Sequence, residues 1–157
     1  MPDQDRTDLE VDLLGEAVKI TGKRMPNGEV RRRVRLADGT AIHHTVAPPG
    51  EAKWQNAHFH KGVVETQVVI AGKMAVARIE RDKGWRVCVY ERGEVYTSFP
   101  SHIHNVYLFP GSVIATITYG EPVGDPNNKG NDWWAADADF DKWSKGLTEA
   151  DIGCLVA

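Results

Sequence analysis

The chain has 157 residues, 41% hydrophobic and 26% charged, with a formal net charge of −3. That size and balance point to one globular domain with a core of its own, and they give no electrostatic case for nucleic acid or an anionic membrane surface. The two cysteines, Cys88 and Cys154, form no CxxC pair, so neither a zinc ribbon nor a dithiol redox motif is present, and with no apolar N-terminal run the expectation is a cytoplasmic protein.

In chain order, "LEVDLLGEAVKI" reads either as a short helix or as an edge strand. From there short β-rich runs alternate with turn signals. "VRRRVRL" stops at "ADGT", and "AIHHTVA" stops at "PPGE". "HFH" leads through "KGV" into "ETQVVIAG", "KMAVARIE" turns at "RDKG" into "WRVCVYE", and "EVYTSF" runs into "PSHIH". "NVYLF" then turns at "PG" into "SVIATITYG". Strands at this even spacing, with no βαβ rhythm, predict an all-β sandwich or barrel. The pattern breaks at Gly120. "GEPVGDPNNKGND" is a loop, and "DADFDKWSKGL" places Phe140, Trp143 and Leu147 at helical spacing, with Thr148 to Asp151 as a further cap. The expected organisation is a single domain over residues 1–157, with a core barrel at about 30–120 and a C-terminal loop and helix at 121–157.

Three metal-capable side chains stand close together in "NAHFHKGVVETQVVIAG". Residues two apart in a strand share a face, so His58 and His60 point together, and Glu65, after a short turn, can return beside them. Imidazole and carboxylate donors suit Fe(II), Mn(II), Ni(II), Co(II) or Zn(II). The fixed positions run His58, His60, then four residues to Glu65, then six to Gly72. This pattern resembles the first sequence motif of the cupin superfamily at every one of those positions. A second motif of that superfamily starts at Gly93 and puts its histidine at His104. Phe99, Ser101 and Leu108 fall where that motif has Pro, Gly and Asn, although Pro100 keeps the central turn position.

The resemblance implies a cupin-type β-barrel or jelly roll that holds one divalent transition metal inside through His58, His60, Glu65 and His104. Four protein ligands on a six-coordinate ion leave about two positions open, the mark of a catalytic site. It implies a metal-dependent enzyme for a small oxygen-rich molecule, using Lewis-acid or O₂ chemistry. Two alternatives stand beside it: a nucleotide-sugar epimerase or ketoisomerase-like cupin using histidine acid–base catalysis, and a small-molecule binding module without turnover. Glu65 and His102 are the candidate catalytic residues, His102 as an acid or base at the pocket rim. Strand parity adds Gln67 near the metal and, taking the more apolar face of "AIHHTV" as inward, His44 in the pocket with His43 outside. Tyr107 and Tyr119 are candidates to close the pocket. Trp133, Trp134 and Trp143 are expected to dock the terminal helix, and the arginines of "RRRVR" to be a solvated strand face. The partners expected are a small-molecule substrate and a second copy of the chain, paired through the sheets with "VRRRVRL" as the candidate edge.

Overall fold

The structure, a computed structural model, describes residues 10–13, 18–128 and 130–155. It is two antiparallel sheets packed face to face, with two short helices outside the smaller one. The strands are β1 (Glu10–Leu13), β2 (Val18–Arg24), β3 (Val30–Leu36), β4 (Ala41–Val46), β5 (His58–Phe59) and β6 (Val63–Ala71). They continue as β7 (Lys73–Glu80), β8 (Gly84–Glu91), β9 (Val95–Ser98), β10 (His104–Leu108), β11 (Val113–Gly120) and β12 (Trp134–Ala135). Seven form one sheet in the order β1-β2-β3-β4-β11-β6-β9, and five form the other in the order β12-β5-β10-β7-β8. The opening run, ambiguous in sequence, supplies strands β1 and β2.

β7 shows why the smaller sheet lies in the middle of the molecule. Met74, Ala75, Val76 and Ala77 are all fully buried, so this strand is covered on both faces and reads as a continuous apolar run. Met74 and Val76 face the sandwich interior with Val69, Tyr96, Val106, Leu108 and Ile114. Ala75 and Ala77 face the other way and, being small, let the helices approach. Phe140 and Ile152 pack there with Trp54, Val87 and Tyr107.

Those helices are α1 (Ala138–Gly146) and α2 (Glu149–Leu155). The Asp137 carboxylate caps α1 by accepting the backbone N–H groups of Asp139 and Phe140 at 2.9 and 3.3 Å. Thr148 caps α2 reciprocally: its Oγ1 accepts from the Asp151 N–H, and its own N–H donates to the Asp151 carboxylate at 2.8 Å. Trp143 docks α1 against Trp85 of β8, ring centroids 5.2 Å apart, beside Phe140 of the same helix, as its spacing predicts.

One turn between the sheets requires glycine. Gly72 joins β6 to β7 at φ +72°, and a Cβ there would lie 2.2 Å from Ser112 Oγ. That hydroxyl is already engaged, accepting the Lys73 N–H at 2.9 Å. No helix of the described residues is long and apolar enough to cross a membrane.

Candidate metal centre

His58, His60, Glu65 and His104 come together between the two sheets. Each offers a ligand atom, these atoms lie within 4.8 Å of one another, and all four residues are buried. His58 and His104 are opposite one another on β5 and β10 of the smaller sheet. Glu65 comes from β6 of the larger sheet, where it lies between Thr118 of β11 and Ser98 of β9. His60 sits in the turn from one sheet to the other. Residues 58–65 therefore do not form the hairpin expected: β5 ends at Phe59, and the chain crosses the sandwich before β6 begins.

Backbone carbonyls fix all three imidazoles. His58 Nδ1 lies 2.9 Å from the Asn56 carbonyl, His104 Nδ1 lies 3.0 Å from the His102 carbonyl, and His60 Nδ1 contacts the Asp132 carbonyl. A carbonyl oxygen only accepts, so each Nδ1 carries a hydrogen, and in the neutral ring each Nε2 is left with its lone pair. The Nε2 atoms of His60 and His104 are 3.5 and 3.4 Å from the two oxygens of Glu65. Both are buried without a hydrogen-bond partner. Ligands about 2.1 Å from a shared ion, at angles between octahedral and tetrahedral, stand roughly 3.0–3.5 Å apart. The donor set and its tautomers therefore fit a divalent metal.

Burial and the Glu65 carboxylate act in opposite directions on the imidazoles. Burial, and then His104, push His58 down to about 3, keeping it neutral. Burial alone would raise Glu65, but His104 and His60 outweigh it and hold the carboxyl well below its usual range. His60 is lowered by burial and raised more strongly by the Glu65 carboxylate. The cluster holds one firmly ionised carboxylate among imidazoles. Gln67 lies beside it as expected, its amide donating to Glu65 Oε1 at 2.6 Å.

Four expected pocket residues lie elsewhere. On β4 the inward face is Ala41, His43 and Thr45, whereas His44 is exposed together with Ile42. The more apolar face of β4 points outward because the inner surface here lines a polar cavity. Tyr119, on the outward parity of β11, is exposed. Tyr107 is buried behind β10, where its hydroxyl donates to Glu149 Oε1 at 2.7 Å and its ring lies 5.4 Å from Trp54. The His102 ring is exposed beside Phe99, with ring centroids 5.8 Å apart, and does not line the cavity; only its carbonyl serves the site.

Other residues do line it. A cavity of about 420 Å³ opens onto His60 and Glu65 and is bounded by Arg31, Arg33, Arg35, His43, Asp132 and Trp133. The register shows how strand β3 reaches it. Arg33 pairs with His43 and Arg35 with Ala41, both on the inward face of β4, so three of the four arginines face in. Arg32 and Arg35 are exposed, Arg35 while lining the cavity, and Arg31 and Arg33 are half-buried, so the solvated face expected for the run holds only in part. Trp133 stacks on His58, ring centroids 5.2 Å apart and 21° between planes, and Lys61 sits over the Trp134 ring at 3.2 Å. Trp133 thus covers the centre rather than docks the helix, and the Trp134 indole N–H donates to Asp132 Oδ1 at 3.1 Å. Asp132 ties down the turn bearing His60. Its carboxylate accepts the N–H groups of Lys61, Gly62 and Val63, each at 2.9 Å. A larger cleft of about 620 Å³, between Glu29, Trp54 and Glu149, contains none of the four ligands.

No protein-family model and no curated protein sequence matches the chain. Solved structures do. Oxalate decarboxylase from Bacillus subtilis superposes with a TM-score of 0.56 at 15% identity, over 87% of this chain and 37% of that one. The chain thus spans little more than a third of that protein. The chain has the cupin fold. KdgF from Halomonas sp. matches with a TM-score of 0.53 at 14% identity, over 64% of this chain and 86% of that one. A further oxalate decarboxylase structure, TM-score 0.57 at 15% identity over 87% of this chain and 37% of that one, belongs to a study of that enzyme's Mn(II) centres. The cupin sandwich seen here thus carries a four-residue metal-ligand group, and the likeness at these identities is one of fold.

Proposed function

We propose that this cupin is a metal-dependent enzyme acting on a small, oxygen-rich organic molecule. One divalent transition metal, Fe, Mn, Ni, Co or Zn, would be held by His58, His60 and His104 through Nε2 and by the Glu65 carboxylate. The observation that carries the reading is the pair of buried, unpartnered Nε2 atoms beside an ionised carboxylate. Such groups are costly to bury unless something binds them. The fold neighbours named as enzymes support turnover rather than binding alone, and the neighbour with Mn(II) centres supports Mn as a candidate.

A metal bound there supplies Lewis-acid polarisation of a substrate oxygen, or O₂ chemistry if it is iron. The protein's own groups do the rest. The three carbonyls hold the imidazoles in one tautomer and one orientation. Gln67 restrains one oxygen of Glu65 through its 2.6 Å hydrogen bond, leaving the second oxygen on the side of His60. Trp133 shields His58 from water. The acid–base alternative needs His102 or His104 to move the proton; His102 has an exposed ring beside Phe99 and His104 lies in the ligand group, which gives that reading little support.

The test is elemental analysis of protein purified without added metal. About one divalent ion per chain is expected, and His60→Ala should lower the content at least tenfold while leaving the circular dichroism unchanged. Full metal content in folded His60→Ala would overturn the assignment.

A further inference from the structure

We propose that the cavity above the four ligands is an anion cradle in which Arg33, Arg35 and His43 hold a carboxylate or phosphate group of the substrate, with Arg31 at its edge. This deepens the reading of the site as a metal-dependent enzyme and rests on it for the orientation of the bound molecule.

Three arginines on alternate residues of one strand usually point into solvent. Here the register turns them inward. The row across the larger sheet runs Arg33, His43, Thr116, Gln67, and the neighbouring row runs Arg35, Ala41, Thr118, Glu65. The arginines thus stand three strands away from the ligand-bearing strand β6, and His43 two, on the same inner surface.

Among the described residues, only one of the three has a carboxylate partner. Arg31 has a partner, Glu29, at 3.8 Å, and its Nε donates to Thr45 Oγ1 at 3.2 Å. Among the described residues, Arg33 and Arg35 make no ion pair or side-chain hydrogen bond. The cavity wall includes two carboxylates, and both are in use: Glu65 in the ligand group and Asp132 on three backbone N–H groups. Burial, followed by Arg35 and Arg31, lowers Arg33 to about 10, so this one guanidinium is crowded and poorly solvated yet still a cation at neutral pH.

His43 makes this a built site. It is 5% exposed, its Nε2 is buried without a partner, and burial next to Arg33 and Arg31 pushes it down to about 3. It is a neutral imidazole, able to donate one hydrogen bond to an anion already held by the guanidinium groups. Guanidinium forks match carboxylate and phosphate geometry, whereas a neutral polyol would leave the charges uncompensated. A divalent ion in the ligand group would add to this positive field, since Glu65 offsets only one charge. A cavity of about 420 Å³ suits a small molecule with its anionic end on Arg33 and Arg35 and an oxygen-bearing carbon near Glu65.

The test is calorimetric titration of metal-loaded protein with three probes: malonate, inorganic phosphate and neutral glycerol. Malonate or phosphate should bind and glycerol should not, and the stronger of the two identifies the anionic class. Arg33→Gln and Arg35→Gln should each weaken binding at least tenfold, and Arg33→Lys should recover part of the loss. Arg32→Gln, on the outer face, should leave affinity unchanged. Metal content is measured on every sample. Equal affinity in folded Arg33→Gln and Arg35→Gln, or no binding of either anion by metal-loaded protein, overturns the cradle. Arginine-dependent anion binding by a protein that retains no metal upholds the cradle and removes the metal-enzyme reading instead.

Discussion

At the scale of single residues, the centre depends on Asp132 as much as on its ligands. Its carboxylate gathers three N–H groups at 2.9 Å, and its backbone carbonyl orients His60. Burial would raise its pKa, but the N–H groups of Lys61, Gly62 and Val63 outweigh burial and lower it. The stabilisation is therefore fully present above the ordinary aspartate range and is lost as pH falls through the depressed folded value. Asp132→Asn puts an NH₂ donor against backbone donors and should lower metal affinity about 10–100-fold. Competition with a chelator measures this, and unchanged affinity would show that His60 holds its place without the turn. Nothing in "GNDWW" announces this role, because Asp132 is some seventy positions from the N–H groups it binds and no short-range pattern encodes the meeting. The ligands were legible for the opposite reason. His58, His60 and Glu65 lie within eight consecutive residues, and His104 follows at a fixed distance from Gly93. Arg33 and His43 fell between these cases: their parity was readable, but which parity faced inward was not.

The second motif shows how an element survives losing its usual residues. Ser101 stands where glycine is expected and adopts φ +68°, so the left-handed turn is kept by a residue that tolerates it poorly. The turn is anchored, since the Ser101 N–H donates to the His60 carbonyl at 2.7 Å. It thereby links the loop before β10 to the ligand turn. Leu108, where an asparagine is expected, is 1% exposed and packs in the interior cluster, so the change adds to the core. Ser101→Gly should be tolerated or slightly stabilising. Ser101→Val forces a β-branched side chain into the same conformation and should cost about 1–3 kcal/mol, roughly 2–4 °C of melting temperature per kcal/mol for a chain of this size. Equal melting temperatures for the valine and glycine variants would mean the turn relaxes to another conformation. The inverted faces of β4 belong to this scale too. "Apolar face inward" holds where a strand covers a dry core, but the end of β4 near Ala41 borders a cavity, and its apolar Ile42 points out.

For the whole molecule, the two outer faces are unequal. The outer face of the smaller sheet is covered by α1 and α2 through Phe140 and Ile152. The outer face of the larger sheet has no such cover among the described residues, yet it is rich in apolar side chains. Ile42 and Ile117 are cross-strand partners at its centre, 47% and 37% exposed, with Ile70 and Val95 at 47% and 50% toward the β9 side. A solvated face of an antiparallel sheet is usually polar, and a contiguous apolar one marks an interface. We propose that a second copy of the chain covers it, face to face about a two-fold axis, since a flat patch of this kind can pair with itself. This places the contact on the sheet face rather than on the edge expected for "VRRRVRL". β3 is an interior strand, hydrogen-bonded between β2 and β4, and so has no free edge to offer. Light scattering at tens of micromolar should give a mass of about twice 17.4 kDa. Ile117→Lys places a charge in the middle of the patch and should return the mass to that of one chain, with metal content and melting cooperativity retained because the side chain lies outside the core. A wild-type mass of 17.4 kDa at that concentration, or a dimer unaffected by Ile117→Lys, would remove this face as the interface.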